Sequence, residues 1–144
     1  MSSSDGVLRD EPTDATFEPS LDQPFDIDGL VALRSAVAAH ADLLGLRPAK
    51  VQELVLVAHE LASNAVRHGG GTGRLRLWRA DNTVYCEVRD DGNGLDEERA
   101  ERFWRPAVDA LSGRGLWLAY HLCDQFEVIS STTGTVATAT MRVH

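Results

Sequence analysis

Apolar residues at Ile27, Leu30, Val31, Val37, Ala38, Ala41 and Leu44 recur mostly three or four positions apart. That is the period of one helix face, and it predicts a helix over 27–44. Asp26 or Asp28 can cap its start, and Gly45 can end it. Pro48 suits the first turn of a second helix. Val51, Leu54, Val55, Ala58, Leu61, Ala62 and Ala65 form its buried stripe, and Gly69-Gly70-Gly71 must stop it. The period then shortens. Arg74 to Ala80 reads as a strand with Leu75, Leu77 and Arg79 on one side, Asp81-Asn82 as a turn, and Thr83 to Arg89 as the returning strand of a hairpin. Leu116 to Leu122 is a short apolar helix. Phe126–Ser130 and Val136–Val143 read as two strands about a turn at Thr133-Gly134.

The remaining segments are polar. Residues 1–14 are rich in Ser, Asp, Glu and Pro, and such a segment cannot bury enough apolar surface to order itself. We divide the chain into a flexible tail, 1–20, and one domain, 21–144. Ala15–Glu18 reads as a short edge strand, with Pro19 and Pro24 marking a loop after it. Leu95 to Leu111 is a long polar connection with one helical stretch. Connections of that length in a small domain often serve as lids. The order is helix, helix, strand, strand, lid, helix, strand, strand. It predicts an α+β two-layer sandwich, a mixed but mostly antiparallel sheet with helices on one face. Strand and helix do not alternate as in a dinucleotide-binding fold.

Composition narrows the partners. With 144 residues, 43% hydrophobic and 25% charged, the chain has the make-up of one globular domain. Fourteen basic against 22 acidic residues leave a formal charge of −8. That repels nucleic-acid phosphates and favours a basic protein partner. Cys86 and Cys123 are isolated and form no disulfide framework or CxxC motif. The N-terminus Met-Ser-Ser-Ser-Asp-Gly is no secretion signal, and no apolar run approaches a membrane span. The expectation is a cytoplasmic protein that binds neither membrane nor nucleic acid.

Three separated segments carry chemistry. Glu60 and Asn64 are four apart on a predicted helix, so they share a face, and Arg67 extends it. A carboxamide oxygen can ligate Mg²⁺, which keeps water and phosphate oxygens at its other positions. A neighbouring carboxylate can orient or deprotonate an attacking hydroxyl. Asp90-x-Gly92-x-Gly94 follows a strand, where a fixed carboxylate can accept a hydrogen bond from an exocyclic amine such as adenine's. Its glycines let backbone approach a ligand closely. Gly113-Arg114-Gly115 opens an apolar helix, whose free N–H groups and positive dipole end suit phosphate, with Arg114 adding charge. Rival motifs fail. An EF-hand loop counted from Asp91 needs glycine at its sixth position and has Asp96, and a zinc-protease helix starting at His59-Glu60 needs histidine where Ser63 stands. No P-loop or GxSxG elbow is present. His121-Leu122-Cys123 is too sparse for a metal and reads as packing. Trp78 and Trp117 read as core, Trp104 as a lid anchor.

Together, Glu60…Asn64, Asp90-x-Gly92-x-Gly94 and Gly113-x-Gly115 resemble the N, G1 and G2 boxes of the GHKL ATPase superfamily, over roughly residues 27–144. Three features resemble one branch, the anti-sigma-factor serine kinases. These are His68-Gly69 soon after the asparagine, the stretch Gly113–Leu118, and Leu122-Cys123-Asp124 leading into a strand. The resemblance implies a Bergerat ATP-binding fold with ATP and Mg²⁺ as cofactors. It makes Glu60 the general base and Asn64 the Mg²⁺ ligand. Asp90 would hold the adenine amine and Gly92 and Gly94 would shape the pocket. Gly113, Arg114, Gly115 and Leu116 would lie at the phosphates, with 95–112 as the lid. It further implies a homodimer that binds a sigma factor and phosphorylates a serine of an anti-anti-sigma antagonist. The alternative is a nucleotide-sensing regulatory module with little kinase activity. A histidine kinase core would need a phospho-accepting histidine on a helix ahead of the ATP domain, and the helix before Glu60 offers only His40. Gyrase- or chaperone-like ATPases would need a following domain. One departure stands out: many relatives carry a threonine late in the last strands, and Gly134-Thr135-Val136-Ala137-Thr138 does not match it cleanly, so no residue there is carried over.

Overall fold

The computed structural model describes residues 19–91, 114–131 and 133–144. In chain order these form β1 (Leu21–Asp26), a 3-10 turn (Ile27–Gly29), α1 (Leu30–Leu43), α2 (Pro48–His68), β2 (Thr72–Ala80), β3 (Thr83–Asp90), α3 (Arg114–Leu122), β4 (Gln125–Ser131) and β5 (Gly134–Arg142). The strands make one sheet ordered β1-β2-β3-β5-β4. Every pairing in it is antiparallel. The segment 92–113, with the expected lid and Trp104, lies outside the described residues.

Local chemistry places the helices. Asp26 caps the 3-10 turn by accepting from the Asp28 and Gly29 N–H groups at 3.0 and 3.1 Å. Gly45, at φ 103°, takes the left-handed backbone that ends α1. Arg79 reaches from β2 on the helix side and donates to the Leu44 carbonyl at 2.7 Å. Pro48 is the first residue of α2 and Gly69 its C-cap. The helical stripes shift slightly from the sequence reading. Because α1 proper starts at Leu30, its buried face is Leu30, Leu33, Val37 and Ala41, and Ile27 and Val31 are exposed. Val57 joins the buried face of α2.

Strand parity sorts the sheet into two faces. Leu75 and Leu77 of β2, Val84, Cys86 and Val88 of β3, and Ala137, Ala139 and Met141 of β5 face the helices and form the core with them. α1 and α2 pack on this face, and α3 packs on α2.

Three expectations change. The first strand is Leu21–Asp26 and contains Pro24, where the prolines had suggested a loop, while Ala15–Glu18 lies outside the described residues. β1 is an edge strand, and an edge has one side without ladder partners, so a residue lacking its N–H is tolerated. Phe25, beside it, is buried against Gly73 of β2, where a side chain would collide with its ring. Trp78 is buried, but on the face away from the helices, stacked on Tyr85 with centroids 5.2 Å apart. Trp117 is not core: it is 40% exposed and stacks on His121 at 4.0 Å. A period of two or four marks a face, but not which face a neighbouring element will cover.

Beside Trp78, Glu87 is only 2% exposed on the same outer face. It accepts from Arg76 Nε at 2.8 Å and from Arg89 Nη2 at 3.4 Å. Removing a carboxylate held between two guanidinium groups takes one ion-pair partner from each. Because Arg89 is partly open to water, Glu87→Ala is expected to cost about 1–3 kcal/mol, below the range for a fully buried pair. Urea unfolding measures it, and an unchanged midpoint would refute the role.

Both cysteines are free. Burial pushes the Cys86 thiol well above its usual range, helped by Cys123 and Glu87 nearby. Burial pushes Cys123 up to about 12, with Asp124 and Glu53 adding to it. A thiol held this high has almost no thiolate at pH 8. A disulfide-exchange reagent at pH 8 is expected to label neither cysteine in the native protein and both after denaturation.

Candidate functional site

The site grows from the last two turns of α2. Ala58, Leu61, Ala62 and Ala65 are buried and fix the helix by one side. Glu60 and Asn64, one turn apart, lie on an adjoining face. Glu60 is half-buried and has no hydrogen-bond or ion-pair partner among the described residues. Asn64 is more enclosed than a solvated helix face allows, at 8% exposure. Its Oδ1 accepts from Arg67 Nη2 at 2.9 Å. Its Nδ2 is buried and has no hydrogen-bond partner among the described residues. An unpaired buried amide donor costs about 1–3 kcal/mol, so it is kept only where something pays it back, and a ligand is the simplest agent.

Asp90 comes to this helix end from the sheet. It is the last residue of β3, half-buried, on the helix-facing side. A Cβ at Gly69 would collide with the Asp90 carboxylate and the Ala65 carbonyl. The carboxylate therefore packs on bare backbone at the end of α2. On the other side, Gly134, at φ 151°, lies against the Asp90 carbonyl, and a side chain there would collide with it. Asp90 is thus held between two glycines: Gly69, read from the sequence as a helix stop and a branch feature, and Gly134, read as part of a turn. Gly70 and Gly71, at φ 97° and 94°, turn the chain back into β2. Thr135, which the motif comparison did not single out, pairs directly with Asp90 and bonds Ser130 through its hydroxyl at 3.3 Å. Counting register back from the Thr133-Gly134 turn would have found it.

Arg114, Gly115 and Leu116 form the first turn of α3, which starts two residues earlier than its apolar pattern. α3 packs on α2, so the glycine-bearing helix start belongs to the same layer as Glu60 and Asn64. Gly92, Gly94 and Gly113 lie outside the described residues. His59 bridges α1 and α2, within 3.5 Å of both Arg34 and Ser63. His121 donates from Nδ1 to the Trp117 carbonyl at 2.9 Å and is exposed rather than packed in the core.

Among the described residues no group of three or more His, Cys, Asp or Glu side chains is arranged to hold a metal. A magnesium ion carried by a nucleotide would need only one or two protein oxygens, because it fills its octahedron with water and phosphate. Asn64 Oδ1 is an oxygen magnesium could take once Arg67 Nη2 no longer donates to it, and Nδ2 is a donor for phosphate oxygen.

The matched family model, "Histidine kinase-like ATPase domain", covers residues 24–141, nearly all the described fold. The chain belongs to this family. This ATPase-family domain is also 31% identical over 77 residues to the signal transduction histidine-protein kinase AfsQ2 of Streptomyces coelicolor, covering 49% of this chain and 14% of AfsQ2. It therefore spans about a seventh of that relative's length. Among solved structures it resembles the catalytic domain of the histidine kinase ThkA, with TM-score 0.55, 14% identity and coverage of 85% of this chain and 95% of that one. The histidine kinase domain of the Escherichia coli osmosensor EnvZ gives TM-score 0.52, 17% identity and coverage of 91% and 93%. That of the Erythrobacter litoralis EL346 blue-light-activated kinase gives 0.53, 20% identity and coverage of 79% and 61%. At these identities the likeness is one of fold, and it matches the α+β Bergerat architecture. No helix among the described residues is long and apolar enough to cross a membrane.

Proposed function

We propose that this ATPase-family domain is an ATP- and magnesium-dependent protein serine kinase that also acts as an anti-sigma factor. As a cytoplasmic homodimer it binds a sigma factor, and it phosphorylates a serine of an anti-anti-sigma antagonist. The observation that carries the nucleotide reading is the enclosed Asn64 amide, one turn from the Glu60 carboxylate, with Nδ2 and that carboxylate both unpaired among the described residues. Membership of the family supports ATP as the ligand. The packing of Asp90 on Gly69 supports a fixed acceptor for the adenine amine. The resemblance at His68-Gly69, Gly113–Leu118 and Leu122-Cys123-Asp124 supports serine as the acceptor.

In the reaction, Glu60 takes the proton of the partner's serine hydroxyl as that oxygen attacks the γ-phosphorus. The new bond is serine O–P, the bond to the β,γ-bridging oxygen breaks, and ADP leaves. Asp90 orients the adenine by accepting from its exocyclic amine. Asn64 and the start of α3, with Arg114, Gly115 and Leu116, hold phosphate oxygens. Asn64 would hold magnesium, which would supply charge neutralisation at the transferring group.

Labelled ATP, the purified protein and candidate antagonists test the proposal. Phosphoserine on an antagonist is the expected result. Tight ATP binding with no phosphoprotein from any partner would replace it with the second reading, a nucleotide-sensing binding module. That reading draws on Arg67, which holds the oxygen a metal would need.

A further inference from the structure

Asn64 presents its two polar atoms unequally. Oδ1 is taken by Arg67 Nη2 at 2.9 Å, whereas Nδ2 is enclosed and unpaired. Turning the amide over would set its NH2 group against a guanidinium, donor against donor, because arginine has no acceptor. Arg67 therefore fixes which atom faces its side of the pocket. Magnesium needs the oxygen. A divalent cation and a guanidinium sharing one oxygen repel each other at close range, so the two contacts compete. Arg67 lies in the last turn of α2 and is exposed, so its side chain can swing without disturbing the core. Its preferred new partner is an anion able to take a forked contact, and a phosphate group is one.

We propose that Arg67 is a latch on Asn64: it holds the metal-ligating oxygen until nucleotide phosphate draws the guanidinium away. Magnesium then binds Asn64 only together with a phosphate ligand. This rests on the nucleotide reading of the site and adds a positioning residue to it. The latch withholds part of the affinity that magnesium would otherwise give to nucleotide.

Calorimetry with ADP and ATP, with and without magnesium, reads this directly. In Arg67→Ala, overall nucleotide affinity is expected to fall, because a phosphate contact is lost. The magnesium dependence, Kd without metal divided by Kd with metal, is expected to rise about tenfold, the weight of one charge-assisted hydrogen bond. Arg67→Lys, which keeps the charge but not the fork, should fall between. A second readout needs no ligand: the Asn64 side-chain NH2 resonances should shift in ligand-free Arg67→Ala. An unchanged magnesium ratio, or unmoved Asn64 resonances in a folded variant, overturns the latch. Failure of the wild-type protein to bind either nucleotide would instead overturn the site reading on which it rests.

Discussion

Glu60→Gln is expected to bind ATP within a few-fold of wild type and to lose phosphoryl transfer by about 10²–10⁴-fold, the usual weight of a general base. The substitution is close to isosteric, and Glu60 has no partner among the described residues whose loss would unsettle α2. What disappears is only the ability to accept a proton. Equilibrium binding and single-turnover transfer to the antagonist separate the two effects. Wild-type transfer by the glutamine variant would remove Glu60 from catalysis and leave it as a face of the pocket. Equal loss of binding and transfer would make it a ligand-positioning residue.

Gly69→Ala is expected to weaken adenine nucleotide binding at least tenfold. The new methyl would meet the Asp90 carboxylate and the Ala65 carbonyl, and the latter is backbone that cannot step aside. Overpacking of this kind costs about 1–3 kcal/mol, and the movable partner is Asp90. Displacing Asp90 removes the acceptor proposed for the adenine amine. Gly71→Ala is the control. A side chain at 71 has open space, so its cost comes only from the left-handed backbone at φ 94°. It should lower thermal stability by about 1–2 kcal/mol and leave affinity unchanged. Equal affinities for the two variants would show that Gly69 acts on the fold and not on the site.

These predictions draw on different levels of legibility. The pairing of Glu60 with Asn64 was readable because helical spacing fixes a shared face whatever the surroundings. The hairpin, the helix ends at Gly45 and Gly69, and the helical layer on one side of the sheet were readable for the same reason: each follows from local period or local backbone preference. β1 was missed because proline argues against strands in general, and only the strand's edge position removes the objection. Trp117 was misplaced because an aromatic residue in an apolar helix looks the same whether or not another element covers it. The part of Asp90 was legible as a strand-end carboxylate, but its clamp was not, since Gly69 and Gly134 stand 21 and 44 residues away in sequence.

From its letters alone this chain determines which residues share a helix turn, where its turns fall, and which side chains have the chemistry for a nucleotide. Those properties depend on neighbours a few positions away, and short-range sterics decide them. Only the tertiary structure decided that Asn64 is enclosed with one hand tied to Arg67, that Asp90 rests on a bare glycine, and that Glu87 is buried between two arginines on the outer face. Those depend on how the sheet meets the helices, and a pattern with period two or four fixes a face without naming what will lie across it.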